Sequence, residues 1–253
     1  SAEGPPGSGP GGDGSPGGGS RDGGSWGDLI EEARGSLRRL RDNVAATLNN
    51  RGVALTREGK LGEAEEPLKK ALEMRRESLG PAHSLTFATM KNLSMLYIRQ
   101  ERLSDAEPLL RKLYEASVDS LGGAGPELVP DLVQLARINR EMGNYDDAAA
   151  LYEEAISILD SDPGADARLL VRQLYDLAGI HTRMERYDEA SPLYWRAANL
   201  IMERGFEGET APSAMLDNAL RFFRATGDSL KTAGLETLLG IKKAGNGSES
   251  SGE

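Results

Sequence analysis

Along residues 45–203 apolar and polar positions alternate with the period of an amphipathic helix, and the alternation is written four times. Residues 45–58, 87–100, 129–142 and 171–184 each carry apolar side chains at i, i+3 and i+7, the spacing that gathers them on one helical face. A short polar turn closes each stretch, and a second helical pattern follows. The copies are 42 residues apart: Ala64, Ala106, Ala148 and Ala190 share one position, Ala71, Leu113, Ala155 and Ala197 another, and Leu61, Leu103, Tyr145 and Tyr187 a third. On the first helices Leu93, Leu135 and Leu177 keep the same step, with Arg51 at the equivalent place in the first unit. Self-similarity at a fixed period marks a stacked array in which each unit is one helical hairpin. The repeated alanines fit positions where the two helices of a hairpin cross closely and a larger side chain would push them apart.

The ends depart from the pattern. Residues 26–44 read as an N-terminal capping helix with Leu29, Ala33, Leu37 and Leu40 on one side. Four units follow at 45–86, 87–128, 129–170 and 171–212, and residues 213–243 read as a degenerate fifth hairpin or C-terminal cap. There Ser229 and Thr232 replace the Tyr and Ala of earlier units, as suits an end unit that faces water rather than a neighbour. Fifteen of the first 25 residues are Gly or Pro, too little apolar surface to offset the entropy of ordering them. Residues 1–25 and the tail 244–253 are therefore expected to be disordered.

The stretches NNRGVALTREGKLGEAEEPLKKALEMRRESLGPAH (residues 49–83) and NLSMLYIRQERLSDAEPLLRKLYEASVDSLG (residues 92–122), with the paired phrases NYDDAAALYEEA and RYDEASPLYWRA, resemble tetratricopeptide repeats, in the long variety found in kinesin light chain. The resemblance covers residues 45–203 well and continues more weakly to 242. It implies an all-α, right-handed superhelical solenoid of four to five hairpins, with the first helices lining a concave groove and the second helices forming the convex back. It also implies a noncatalytic adaptor or scaffold, because such repeats are reused with many partners. Asn139 and His181 stand where the family often has Tyr, as Tyr97 does, and no long heptad coiled coil precedes the repeats.

A net charge of -10 argues against a nonspecific nucleic-acid binder, which needs a basic footprint. No apolar run approaches the roughly 18 residues of a membrane span. With no cysteine, disulfides, thiolate metal sites and cysteine nucleophiles are excluded together, and the compartment stays open. A cytoplasmic location is favoured, while a start at Ser1 rather than Met leaves room for a processed organellar or exported form. His83, in LGPAH between two units, reads as a turn residue. His181 lies on a first helix within reach of the groove, yet only Glu185 follows at i+4, a thin basis for a metal site. DSDPGAD (residues 160–166) imitates a calcium loop but has Ala165 where Gly is needed and Val171 where a bidentate Glu is needed, so it reads as a turn. No catalytic residue, cofactor or metal ligand is expected, and the chain reads as not an enzyme.

The charges divide by helix. The four first helices carry Arg51, Arg57, Lys91, Arg99, Arg137, Arg140, Arg172 and Arg183 against Glu58, Asp131, Glu141 and Asp176, whereas the second helices are predominantly acidic. Combined with the geometry the resemblance implies, this puts a basic groove on an acidic molecule, which would steer an acidic peptide inward. The position held by Asn50, Asn92, Gln134 and Asp176 is where family members often place an amide against a peptide backbone, since an amide both donates and accepts; Asp176 breaks that series. The expected groove residues are Asn50, Arg57, Lys91, Asn92, Arg99, Gln134, Arg137, Arg140 and Arg183. The expected partner is a protein or peptide, acidic in this reading, against the plain alternative of ordinary solvated helix faces. A rival function is a structural subunit or assembly factor that docks into a larger complex or self-assembles through its convex face. Its cue is Trp195 beside Tyr194 on a second helix, where a surface anchor and a core role for Trp195 stand equally open, and the oligomeric state is open.

Overall fold

The computed structural model describes residues 25–122, 125–206 and 210–239. The leader and tail expected to be disordered lie outside these, apart from Ser25, which caps the first helix. Among the described residues ten α-helices follow one another: α1 (Trp26–Arg57), α2 (Leu61–Ser78), α3 (Ser84–Arg99), α4 (Leu103–Leu121), α5 (Val129–Met142), α6 (Tyr145–Ser161), α7 (Ala167–Arg183), α8 (Tyr187–Arg204), α9 (Thr210–Thr226) and α10 (Ser229–Leu238). A 3-10 turn, Pro126–Leu128, leads into α5. The helices pack as successive antiparallel hairpins in an all-α, right-handed superhelical solenoid.

Within each hairpin the chain reverses through one residue in the left-handed region, again on the 42-residue step: Gly59, Glu101, Gly143, Glu185 and Gly227. Two residues later every second helix begins, at Leu61, Leu103, Tyr145, Tyr187 and Ser229. Glycine adopts this conformation freely, whereas Glu101 (φ 58°) and Glu185 (φ 59°) carry a steric penalty of roughly 1–2 kcal/mol each.

Small residues set how closely the hairpin closes. A Cβ added to Gly52 would lie 2.5 Å from Leu68 Cγ and 3.2 Å from the backbone oxygen of Ala64, so α1 and α2 touch there without room for a methyl. Ser94, Ala136 and Ala178 continue the Gly52 position and are fully buried, as are Ala64, Ala106, Ala148 and Ala190. Between hairpins Leu93, Leu135 and Leu177 are buried. Arg51, their counterpart, is exposed because no hairpin precedes it among the described residues. Arg75 is buried at the α2–α3 junction and is satisfied there, its Nη1 donating to Leu85 O at 2.8 Å and to Thr89 Oγ1 at 2.5 Å.

Helix α1 crosses the expected boundary between residues 44 and 45 without a break and runs for 32 residues. Neither Gly nor Pro interrupts Asp42–Asn43–Val44, so nothing local ends the helix where the repeat begins. It starts with a reciprocal cap, the Asp28 N–H donating to Ser25 Oγ and the Ser25 N–H donating to Asp28 Oδ2. The C-terminal end of α2 meets α1 in mid-course: Arg38 Nε donates to Ser78 O at 2.8 Å and Ser78 Oγ donates to Asp42 Oδ1 at 2.6 Å. The first dozen residues of α1 therefore run on past α2.

At the other end the fifth hairpin is formed, with Leu216, Phe222, Phe223 and Leu235 buried. His83 caps α3, its Nδ1 accepting from the Leu85 N–H at 3.2 Å. In DSDPGAD, Asp162 Oδ1 accepts from the Gly164 N–H and Asp166 Oδ1 from the Arg168 N–H, both at 2.9 Å. The first bond closes a turn after α6 and the second caps α7.

Three substitutions test these constraints by urea unfolding followed by helical circular dichroism. Gly52→Ala should cost about 1–2 kcal/mol, because overpacking outweighs the helix propensity gained. Glu185→Gly should stabilise by up to about 1 kcal/mol and Gly143→Ala destabilise by a similar amount; equal midpoints for all three would refute the turn assignment.

Candidate peptide groove on the first helices

Neighbouring first helices are joined by polar side chains, and these bonds decide which expected groove residues are free. Between α1 and α3, Asn92 Nδ2 donates to Asn49 Oδ1 at 2.9 Å and Arg99 Nη1 donates to Thr56 O at 3.0 Å. Asn92 and Arg99 thus hold the first two repeats together. Asn49 is buried, and it is Asn49 rather than Asn50 that meets Asn92; the exposed Asn50 accepts from Asn49 Nδ2 at 3.4 Å. Between α7 and α9, Asn218 Nδ2 donates to Tyr175 OH at 2.7 Å.

Between α5 and α7, Arg140 pairs with Asp176 at 3.3 Å. Burial pushes the Asp176 carboxyl above its ordinary value, and the guanidinium groups of Arg140, Arg172 and Arg137 oppose that rise without cancelling it. Asp176 therefore occupies the amide position as a disfavoured anion and holds one of the cations expected to serve a ligand. By contrast, Arg57, Lys91, Arg137 and Arg183 are exposed, and none forms an ion pair among the described residues. Gln134 is half-buried, with no side-chain hydrogen bond among the described residues.

Two clefts open along this face. One, of about 480 Å³, is lined by Arg140, Tyr175, Asp176, Gly179, Arg183 and Tyr194 among others. The next, of about 820 Å³, shares Tyr175 and Tyr194 and adds Asn218, Arg221 and Phe222 among others, with Asp188 and Asp228 at its α8 and α10 side. Together they form a trough beside α7 with an aromatic floor: the Tyr175 and Tyr194 rings meet edge to face at 5.4 Å, and Tyr194 lies 4.8 Å from Phe222. Gly179 stands at the position of Arg137 and Arg221 in the flanking repeats, so the trough widens between two cations.

Of the expected set, then, Arg140 and Arg183 line one cleft and Arg137 acts on the same Asp176, while Asn50 and Arg57 lie at the far end of the array on α1. The sequence reading missed Tyr175, Tyr194, Asn218 and Arg221. Asn218 was within reach of it, since it follows Asp176 by one repeat step, as Arg221 follows Gly179.

One expectation needs correction, and one pair of alternatives is decided. His181 does not reach this trough; it is buried and lines a separate cleft with Glu153, Asp160 and Glu189, between α6 and α8. Trp195 is no free anchor on the second helices. It packs on Phe223, ring centroids 6.1 Å apart, and a Cβ at Gly234 would come within 3.0 Å of its ring, because the fifth hairpin covers it. Among the described residues no group of three or more His, Asp or Glu converges to hold a metal ion, and no helix is long and apolar enough to cross a membrane.

Comparison with known proteins gives the same architecture. The tetratricopeptide repeat family matches residues 43–117 and 130–203. No curated protein matches the sequence significantly. Among solved structures, nearly identical TPR-like repeats from Podosopora anserina, named for kinesin light chain, align with a TM-score of 0.61 at 17% identity, over 79% of this chain and 95% of that one. BtubC from P. vanneervenii aligns with a TM-score of 0.51 at 16% identity, over 85% of this chain and 96% of that one. A signal-transduction ATPase with a tetratricopeptide repeat sensor, from Pyrococcus horikoshii, aligns with a TM-score of 0.56 at 19% identity, over 85% of this chain but 38% of that one. At such identities the likeness is one of fold.

Asp176 provides a pH-dependent test. Its carboxyl is raised in the folded state, so the folded protein holds that proton more tightly than the unfolded chain, where Asp titrates near about 3.9. The group's contribution to stability accordingly falls as pH rises from the unfolded value through the folded one, and stays lower at neutral pH. Asp176→Asn should melt above the wild type at pH 7, with the gap closing below both values. A variant that melts lower at pH 7 would show that the Arg140 pair outweighs burial.

Proposed function

The chain belongs to the tetratricopeptide repeat family, and we propose that it is a noncatalytic adaptor that captures an acidic segment of a partner protein along its first-helix face. Repeats of this kind generally serve as protein–protein interaction scaffolds. One observation supports the finer reading: exposed, unpaired cations flank an aromatic-floored trough on a molecule whose net charge is -10.

In this reading Arg137, Arg183 and Arg221 meet the acidic side chains of the segment, and the free amide of Gln134 addresses its backbone. The space over Gly179 takes a bulky side chain against Tyr194. Lys91, Arg57 and Asn50 continue the basic surface towards the N-terminal end, while Asn92 and Arg99 act by fixing the relative placement of α1 and α3. Arg140 contributes through Asp176, whose charge it shares. The acidic remainder of the surface repels the ligand elsewhere, so complementarity acts mainly on approach and register.

The test is a tiled library of acidic and neutral peptides, with affinities measured at low and physiological salt. Acidic peptides should bind saturably and weaken with salt. Arg137→Glu with Arg183→Glu should cost at least about tenfold in affinity; Arg183→Glu alone should weaken binding while leaving the melting temperature unchanged, because that side chain is exposed and, unlike Arg137, does not act on Asp176. Asp176→Asn should tighten binding severalfold by releasing Arg140. Equal binding of neutral peptides, or indifference to the double reversal, would overturn the acidic-segment reading, and silence across the library would favour a folded surface of a larger complex.

A further inference from the structure

Outside the groove, one apolar surface is largely uncovered among the described residues: the N-terminal part of α1, which meets α2 only where Arg34 and Leu37 line a cleft with Glu77 and Ser78. Trp26 is 82% exposed, Leu37 62% and Leu40 60%, with Leu29, Ile30 and Val44 also exposed. Trp26, Ile30, Ala33, Leu37, Leu40 and Val44 are spaced alternately by four and three residues, the a/d seam of a coiled coil. At this spacing the seam is bounded by the Ser25 cap before it and by Thr47 and Arg51 after it. We propose that it pairs antiparallel with the same helix of a second copy of this chain.

The shape of the missing partner comes from the repeats themselves. In α3 the residues Thr86, Met90, Leu93 and Tyr97 are buried, on the face that packs against the preceding hairpin. One step earlier in α1 the same face carries Val44, Leu48, Arg51 and Leu55, exposed or half-buried, and the seam joins that face at Val44. It lies about a quarter turn from the buried stripe Ala45, Asn49 and Gly52. A helix is thus what this face accommodates. Residues 1–24 and 240–253 carry no aliphatic stripe to cover it.

Charge sets the partner and its direction. The first part of the seam holds Asp28, Glu31 and Glu32 without a basic residue, and the stretch from 34 to 41 holds Arg34, Arg38, Arg39 and Arg41 without an acidic one; within one copy Arg34 pairs with Glu31, Arg41 with Glu77, and Arg38 donates to Ser78 O. Antiparallel pairing about residue 35 places Ile30 opposite Leu40, Ala33 opposite Leu37 and Trp26 opposite Val44. It also sets Glu31 and Glu32 beside Arg39 and Arg38 of the other copy, with Asp28 opposite Asp42, and opposes the two helix dipoles. Parallel pairing would stack like charges at both ends. The surface is separate from the peptide trough, so this inference stands or falls independently of the adaptor reading.

The experiment is sedimentation of the full chain over a wide concentration range, beside Leu37→Glu with Leu40→Glu. The wild type should be dimeric and the variant monomeric, with unchanged melting of the array, since the substituted side chains are exposed. Because the chain has no cysteine, orientation can be read from a short bismaleimide. A mixture of Ile30→Cys and Leu40→Cys chains should cross-link, and Ile30→Cys alone should not. A monomer at every concentration, a dimer that survives the double substitution, or self-linking at position 30 would each overturn the proposal. If the monomer instead co-sediments with anionic vesicles through the same residues, the seam belongs to a lipid surface and the second-copy assignment fails.

Discussion

The closeness with which the two helices of each hairpin cross is the constraint on which the rest of this molecule depends. It is set by residues with almost no side chain: Gly52 against Ala64 and Leu68 in the first repeat, and the buried series Ser94, Ala136 and Ala178 beside Ala106, Ala148 and Ala190 in the others. Close crossing brings Leu93, Leu135 and Leu177 into the seams between repeats and leaves the residues one place earlier, Asn92, Gln134 and Asp176, on the rim of the first-helix face. Widening the crossing at one repeat would rotate that rim and misalign every later one, since each hairpin is positioned only by its neighbours.

Much of this was legible in the sequence, because each close crossing and each seam uses one residue type at one position and repeats it. What escaped was whatever departs from the period. The Arg140–Asp176 pair joins residues 36 apart, a separation that follows from how the arginine reaches across adjacent helices and not from the repeat step. Trp195 could be read equally as a surface anchor or as core, because the fifth hairpin that closes over it through Phe223 and Gly234 is degenerate in sequence. The continuity of α1 was hidden for a different reason. A repeat boundary says where the pattern begins, whereas a helix ends only where its local chemistry ends it.

Electrostatically the first-helix face is less uniform than a count of its charges suggests. Arg99 is engaged by a backbone oxygen of α1 and Arg140 by Asp176, which leaves the exposed Arg137 and Arg183 as the more available charges near the trough. Asp176 lies amid Arg137, Arg140 and Arg172 and is still disfavoured as an anion, because removing a carboxylate from water costs more here than three guanidinium groups return. A part-buried anion at the centre of a cationic face is a device for restraint: it lowers the local potential and keeps Arg140 engaged.

Helix α1 is pinned at Arg38 and Asp42, and among the described residues its first dozen positions run on beyond α2. A dozen residues of isolated helix are marginal in water, so the amides of this stretch open on their own clock, ahead of the array and without disturbing it. Whatever covers the stretch must slow that clock. The exchange lifetime of its backbone protons is therefore an intrinsic gauge of occupancy, readable on the unlabelled, unmodified chain.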